Sequence, residues 1–228
     1  MRPVERGAVP NDNAGNPKVF ANYADARADL YERLGRFCSF CERPIKSGLA
    51  VEHIQHQYGH SHLACEWTNF LLACLNCNST KGTQNVHRNQ MLFPDQDNTF
   101  RGLEYTAGGE VTSRASLRPP QKAKATRLIR LVGLDKMPLN NPQAANLRWN
   151  DRREAWEKAN RYLDKFQTGM VAIDAVVDLC KSDGHWSIWM TVFANIPDVC
   201  LALIGAIPGT AACFNTNGAP IQRPGGHI

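Results

Sequence analysis

The sequence predicts an α+β protein: a β-hairpin and a helix stapled by a four-cysteine metal site, followed by a mostly α-helical region. Three observations carry this. Two C-x-x-C knuckles, Cys38–Cys41 and Cys74–Cys77, are separated by positions 42 to 73. Between them lie two short runs with strand patterning. From Pro119 the apolar spacing changes to the helical period.

The knuckles come first. A C-x-x-C turn offers two thiolates to one ion, and two such turns complete the tetrahedral sulfur shell that zinc prefers. Cys38, Cys41, Cys74 and Cys77 are therefore expected to hold a structural Zn2+. The remaining cysteines, Cys65, Cys180, Cys200 and Cys213, are isolated and read as buried apolar thiols. The opening MRPVERGAVPNDNAGN is polar and rich in Pro, Gly and Asn, with no charged-then-apolar leader. That points to a reducing cytoplasm, where paired cysteines are metal ligands more often than disulfides.

The knuckles stand farther apart than the ~15–20 residues usual in a four-cysteine site, so the insert carries structure of its own. LAVEHI (49–54) alternates apolar and polar residues around a β-branched centre, as a half-buried strand does. QHQYGHSH (55–62) breaks the pattern and reads as a loop. Phe70–Ala73 reads as the second strand, and Asn78 or Ser79 would cap a helical turn after the second knuckle. Glu52, His53, Asn69, Asn78 and Lys81 thus gather around one hairpin. Imidazole is a base suited to neutral pH, and Glu and Asn oxygens are hard donors that suit magnesium or manganese better than zinc. Neighbouring strand residues face opposite ways, so Glu52 and His53 would not share one ion.

The run E-H-I … N-F-L-L-A-C-x-x-C-N-S-T-K-G (52–82) resembles the HNH endonucleases, whose ββα-metal fold holds one catalytic divalent ion. The resemblance implies His53 as general base, Glu52 and Asn78 as Mg2+ or Mn2+ ligands, Asn69 as the residue that ties the loop, and Lys81 as a common basic position. A closer resemblance, over about residues 1–115, is to the PtuB-type HNH components of Septu anti-phage systems. It rests on MRPVERG, N-Y-x-D-A, LGRFCSFCE, AVEHIQ, the NFLLAC to NSTKG block, D-x-D-N-T-F and Y-x-x-G-G-x-V. It implies a PtuA-like ATPase as partner. Where that family often has Pro soon after Glu-His, this chain has His56, a further candidate substrate contact.

The rest divides into a polar arm (1–20), a nuclease core (21–118), a helical region (119–214) and a flexible tail (215–228). Asn22 starts a helix to Leu34, with Asp25 completing its cap and Gly35 its stop. TFRGLEYT and EVT flank Ala107-Gly108-Gly109 as a hairpin, and Asp95 and Asp97 read as turn caps. Helices are expected over 121–134, 147–166, 170–181, 187–195 and 198–206, with PLNNPQ (138–143) as a break.

Net charge is +5, unevenly spread. Arg114, Arg118, Lys122, Lys124, Arg127 and Arg130 lie in a stretch without Asp or Glu, fit for phosphates, for an acidic partner, or for a plain solvated face. Trp186 to Ala206 is the most apolar stretch, but Asn195, Pro197 and Asp198 interrupt it, so it reads as two core helices and not a membrane span. Trp186, Trp189, Met190 and Phe193 could also anchor a partner if exposed. Three function classes remain open: a metal-dependent nuclease, a non-catalytic zinc-ribbon nucleic-acid-binding module, and a structural adaptor.

Overall fold

The computed structural model describes residues 1–138 and 147–228. Strand β1 (Ala50–His53) pairs antiparallel with β2 (Phe70–Ala73), Ala50 opposite Ala73 and His53 opposite Phe70. All four side chains of β2 are buried, which is why it is apolar throughout, whereas β1 buries a carboxylate, Glu52. Helix α1 (Arg27–Leu34) packs on β2 behind a 3-10 turn at Tyr23–Ala26. Asn22 and Asp25 cap that turn reciprocally, and Gly35 ends the helix at φ 73°, as its sequence implied.

Helix α2 (Leu75–Lys81) begins one knuckle earlier than expected. Cys74 is its N-cap and Cys77 lies inside it, so the second knuckle is the first turn of the helix. The i, i+3 spacing of a C-x-x-C pair on a helix presents both sulfurs to one side. Together these elements make the α+β, zinc-stapled ββα core. Beyond it, α3 (Thr99–Gly102) is a helical turn where a strand was expected, leaving β3 (Leu103–Tyr105) and β4 (Val111–Ser113) as a short hairpin.

The five expected helices are present as α4 (Pro119–Leu131), α5 (Arg148–Gln167), α6 (Ile173–Asp183), α7 (Trp186–Val192) and α8 (Pro197–Ala206). Most of the PLNNPQ break lies outside the described residues. Helix α5 packs on α7, α6 on α8, and α4 on β4. Trp186, Trp189, Met190 and Phe193 are interior, so the core reading holds and the anchor reading does not. Trp186 meets Phe100 and Phe214 edge-on with ring centroids 5.3 and 5.6 Å apart. Among the described residues, no helix is long and apolar enough to cross a membrane.

Neither terminus is the free segment its composition implied. Met1, Arg2, Val4 and Arg6 are buried at one end, Arg223 and Ile228 at the other. Their guanidiniums are satisfied by main-chain carbonyls: Arg2 by Leu34 and Pro208, Arg6 by Phe70 and Thr68, Arg223 by Val4 and Pro94. Asp97 accepts from the amides of Phe93 and His227, and Asp95 from Arg6 and Arg88, so these turn carboxylates also fasten the ends.

Glu42 joins the halves. This residue has φ 64° just after the first knuckle. Its Oε1 accepts from Arg2 N at 2.8 Å and Tyr105 Oη at 3.1 Å, and its Oε2 from Ser187 N at 2.7 Å. Its carbonyl takes His185 N at 3.0 Å, a contact so close that a Cβ on Gly184 would lie 2.3 Å from it. Burial pushes the Glu42 carboxyl up, but the Met1 ammonium and the Ser187 amide outweigh it and hold it below the usual range.

Candidate active site

The hairpin and α2 enclose an open cleft of about 240 Å³. Tyr23, Glu52, His53, His56, Tyr58, Asn78 and Lys81 line it, so four of the five predicted site residues, together with His56, come to one place. Asn69 stands behind it. Its Nδ2 donates to the carbonyls of Gln55 (3.0 Å) and Leu63 (3.1 Å), and its Oδ1 accepts from Gln55 N at 2.8 Å. One buried amide thereby pins both ends of the loop that follows β1.

His53 is half-buried between the rings of Tyr23 and Phe70, with centroids 4.8 and 5.4 Å away. Its Nε2 lies 2.9 Å from the Ala64 carbonyl. A carbonyl only accepts, so Nε2 carries the hydrogen and Nδ1 keeps its lone pair. Nδ1 has no partner among the described residues. His56 differs: its Nδ1 accepts from Gly59 N at 3.2 Å and its Nε2 faces Asn85 Oδ1 at 3.3 Å, so both nitrogens are engaged.

Glu52 and Lys81 form a buried ion pair, Nζ to Oε1 at 2.8 Å. Lys81 Nζ also donates to the His53 carbonyl at 2.7 Å. Burial raises the Glu52 carboxyl above its ordinary range and Lys81 pulls it part of the way back. The cleft therefore offers hard oxygen donors from Glu52 and Asn78, a donor set that fits a magnesium- or manganese-type cation.

The four knuckle sulfurs lie within 4.8 Å of one another, all buried. Cys41 Sγ is 3.6 Å from Cys74 Sγ, and a tetrahedral zinc with Zn–S of about 2.3 Å places its sulfurs about 3.8 Å apart. All eight cysteines are free thiols. Hydrogen bonding with Cys38 raises Cys41 and Cys77 well above the usual thiol range while the same set of contacts lowers Cys74; a bound divalent ion would hold all four as thiolates. The cluster thus fits structural zinc. Arg148 of α5 donates to Cys77 Sγ at 2.9 Å and to the carbonyls of Val132 and Gly133 at 2.8 and 2.9 Å.

This arrangement decides the comparison with known proteins. Residues 38–84 match the HNH endonuclease family. The match spans both knuckles and every residue between Glu52 and Lys81, and it takes in all of the cleft's lining except Tyr23. No curated protein matches the chain.

Outside the HNH domain the basic stretch disperses. Arg114 donates to the carbonyls of Phe100 and Leu103, Arg127 to that of Gln90, and Lys124 lies 2.8 Å from His227 Nδ1. Arg118, Arg127 and Arg130 are exposed, while Lys122 is half-buried. Cys180, Cys200 and Cys213 are buried as expected, but Cys65 is only part-buried, on the loop before β2. Sequence reasoning missed Tyr23, Tyr58, Glu42 and Arg148. Tyr23 stood in the N-Y-x-D-A motif but was read only as a helix start. Glu42 and Arg148 carry no local signal, because their partners lie far along the chain, and Tyr58 stands in a polar loop without one.

Proposed function

We propose that this chain is a metal-dependent HNH endonuclease that hydrolyses phosphodiester bonds of nucleic acid, acting as the effector of an anti-phage defence complex with a PtuA-like ATPase. The observation that carries the nuclease reading is the His53 imidazole, fixed by the Ala64 carbonyl and offering Nδ1 in the same cleft as Glu52 and Asn78. His53 accepts the proton of the attacking water at Nδ1, and the Ala64 carbonyl stabilises the imidazolium that results. Asn69 holds the loop that carries Ala64, which keeps the ring aligned. Glu52 and Asn78 would hold Mg2+ or Mn2+, and such an ion supplies charge stabilisation at the leaving oxygen. Lys81 orients the Glu52 carboxylate.

The adaptor reading has one observation in its favour: the Lys81 ammonium already neutralises Glu52. Plasmid cleavage by the full chain in magnesium, manganese or EDTA separates the two. His53→Ala is expected to lower the rate by about 10²–10⁴-fold while the zinc content stays the same. Equal cleavage by wild type and His53→Ala overturns the assignment.

Support for the ATPase partner is the resemblance over residues 1–115. The exposed Arg127 and Arg130 are the surface groups suited to an acidic partner. Co-purification of the full chain with such an ATPase, lost on Arg127→Glu/Arg130→Glu substitution, is the expected result; no co-purification by wild type refutes the partnership.

A further inference from the structure

Among the described residues, the large apolar side chains left in solvent include a single aromatic, Tyr58, at 84 % exposure. It lines the mouth of the HNH cleft. Among the described residues it makes no hydrogen bond or ring contact, although the loop around it is firmly built. Asn69 pins both ends of that loop. Gly59 N holds the His56 ring so closely that a Cβ on Gly59 would lie 2.8 Å from it. His56, His60 and His62 follow one another edge to face, with centroids 5.6 and 6.2 Å apart. A free phenol held at the rim of a cleft by an ordered loop has the form of a stacking platform.

We infer that Tyr58 stacks on an unpaired nucleobase beside the phosphate that enters the cleft, so that the substrate is single-stranded or locally unstacked nucleic acid. Helix α2 lines the same cleft with Asn78 and Lys81, and Gly82 and Thr83 line it just past the helix end. A phosphate beside Asn78 and Lys81 puts the neighbouring base at the aromatic rim. Every base has a π-face, so this contact confers no sequence preference; it favours strands whose bases are not already stacked. Within an intact duplex the base would have to leave the stack first, which costs a few kcal/mol. The inference deepens the nuclease reading and rests on it for the placement of the phosphate.

The test is binding by the full chain in EDTA, where cleavage is silent, to a single-stranded oligonucleotide carrying 2-aminopurine. Wild type is expected to quench the probe and to prefer the single strand over the same sequence as duplex. Tyr58→Ala is expected to lose about tenfold or more in affinity and most of the quenching, whereas Tyr58→Phe stays within about twofold of wild type. Tyr58-dependent quenching without any cleavage in metal would leave the stacking site standing and remove the nuclease assignment. Normal metal-dependent cleavage with wild-type binding by Tyr58→Ala would do the reverse. Absence of single-strand binding by wild type also overturns the inference.

Discussion

Between residues 38 and 84 the interior is rich in sulfur and charge: four thiols, Glu42, Glu52, Asn69 and Lys81 are all buried there. Between 186 and 207 it is aromatic and aliphatic, with Trp186, Ile188, Trp189, Phe193, Leu203 and Ile204 packed against one another. The helical half stabilises itself by removing apolar area from water. The half that carries the cleft does so only in part: it buries Phe40, Val51, Ile54, Phe70, Leu71 and Leu72, but the polar groups buried beside them are worth little net and cost much if one partner is lost. It leans as well on a metal cluster and on polar ties to the other half: Glu42 to Ser187, Arg148 to Cys77, and the ion pair of Arg43 with Asp151. A site built from polar groups is held in shape by neighbours that have none of its chemistry.

The largest expected effect comes from removing the cluster. Cys77→Ser, or a strong chelator on the wild type, should release zinc and melt β1, β2 and α2, since a structural metal contributes folding energy outright. Hydrogen exchange read per segment should show the 38–84 region unprotected while α5 to α8 keep more of their protection. Uniform loss across both halves would show them to be one cooperative unit and erase the contrast. Absence of zinc from folded, purified protein would remove its basis.

Next comes Arg148. Its 2 % exposure and its bonds to Cys77, Val132 and Gly133 among the described residues mean that Arg148→Met strands two carbonyls and a thiolate in the interior. A loss of about 3–5 kcal/mol is expected from urea unfolding. Chelator-driven zinc release should also speed up, by about 10–100-fold. Arg148→Lys should recover only part of both, since an ammonium cannot span the three acceptors of a planar fork. Stability loss with unchanged zinc release would mean that α5 braces the turn at Val132 and not the cluster.

Smaller still is a pH effect at the junction. Burial pushes His185 down to about 4, with Glu42 raising it and Arg152 lowering it further. An unfolded histidine takes up a proton below about 6.5, while the folded one does not until near pH 4. Stability from this group is thus fully present above pH 6.5 and falls as pH drops toward 4, by about 3 kcal/mol. His185→Asn, which tolerates the left-handed backbone at this position, should flatten that part of the stability–pH curve. Parallel curves for wild type and variant would place the pH dependence elsewhere, at Glu42 or the Met1 ammonium.

The same contrast governs what could be read from the sequence. Strands β1 and β2, the five later helices and the sulfur cluster follow from local periodicity and spacing, which act over a few residues. Four of the five site residues, with His56, were legible as cleft members because one short hairpin, its loop and the helix directly after it carry them. What failed was long-range satisfaction of polar groups. Arg2, Arg6 and Arg223 look like solvated arm and tail residues, yet main-chain carbonyls far along the chain receive them. Arg114 and Arg127, counted toward a phosphate-binding stretch, are partly spent in the same way. A carbonyl acceptor has no letter in the sequence. Trp189 and Phe193 read as core first, and the second reading, as anchors, stayed open only until α5 was seen to cover them.

Fastening the two ends of the chain to each other has a temporal consequence. Arg2 reaches Thr210 across 208 positions, and Arg223 reaches Val4 across 219. Contacts so distant form late, because a long loop must close before they contribute. On a translating ribosome, which adds about 5–20 residues per second, the whole Glu-His hairpin would emerge many seconds before Ser187 and Arg223 could brace it. A chain still being made would therefore hold every residue of its cleft without the frame that aligns them. Alignment of the cleft would come only once Arg223 has emerged and closed the frame.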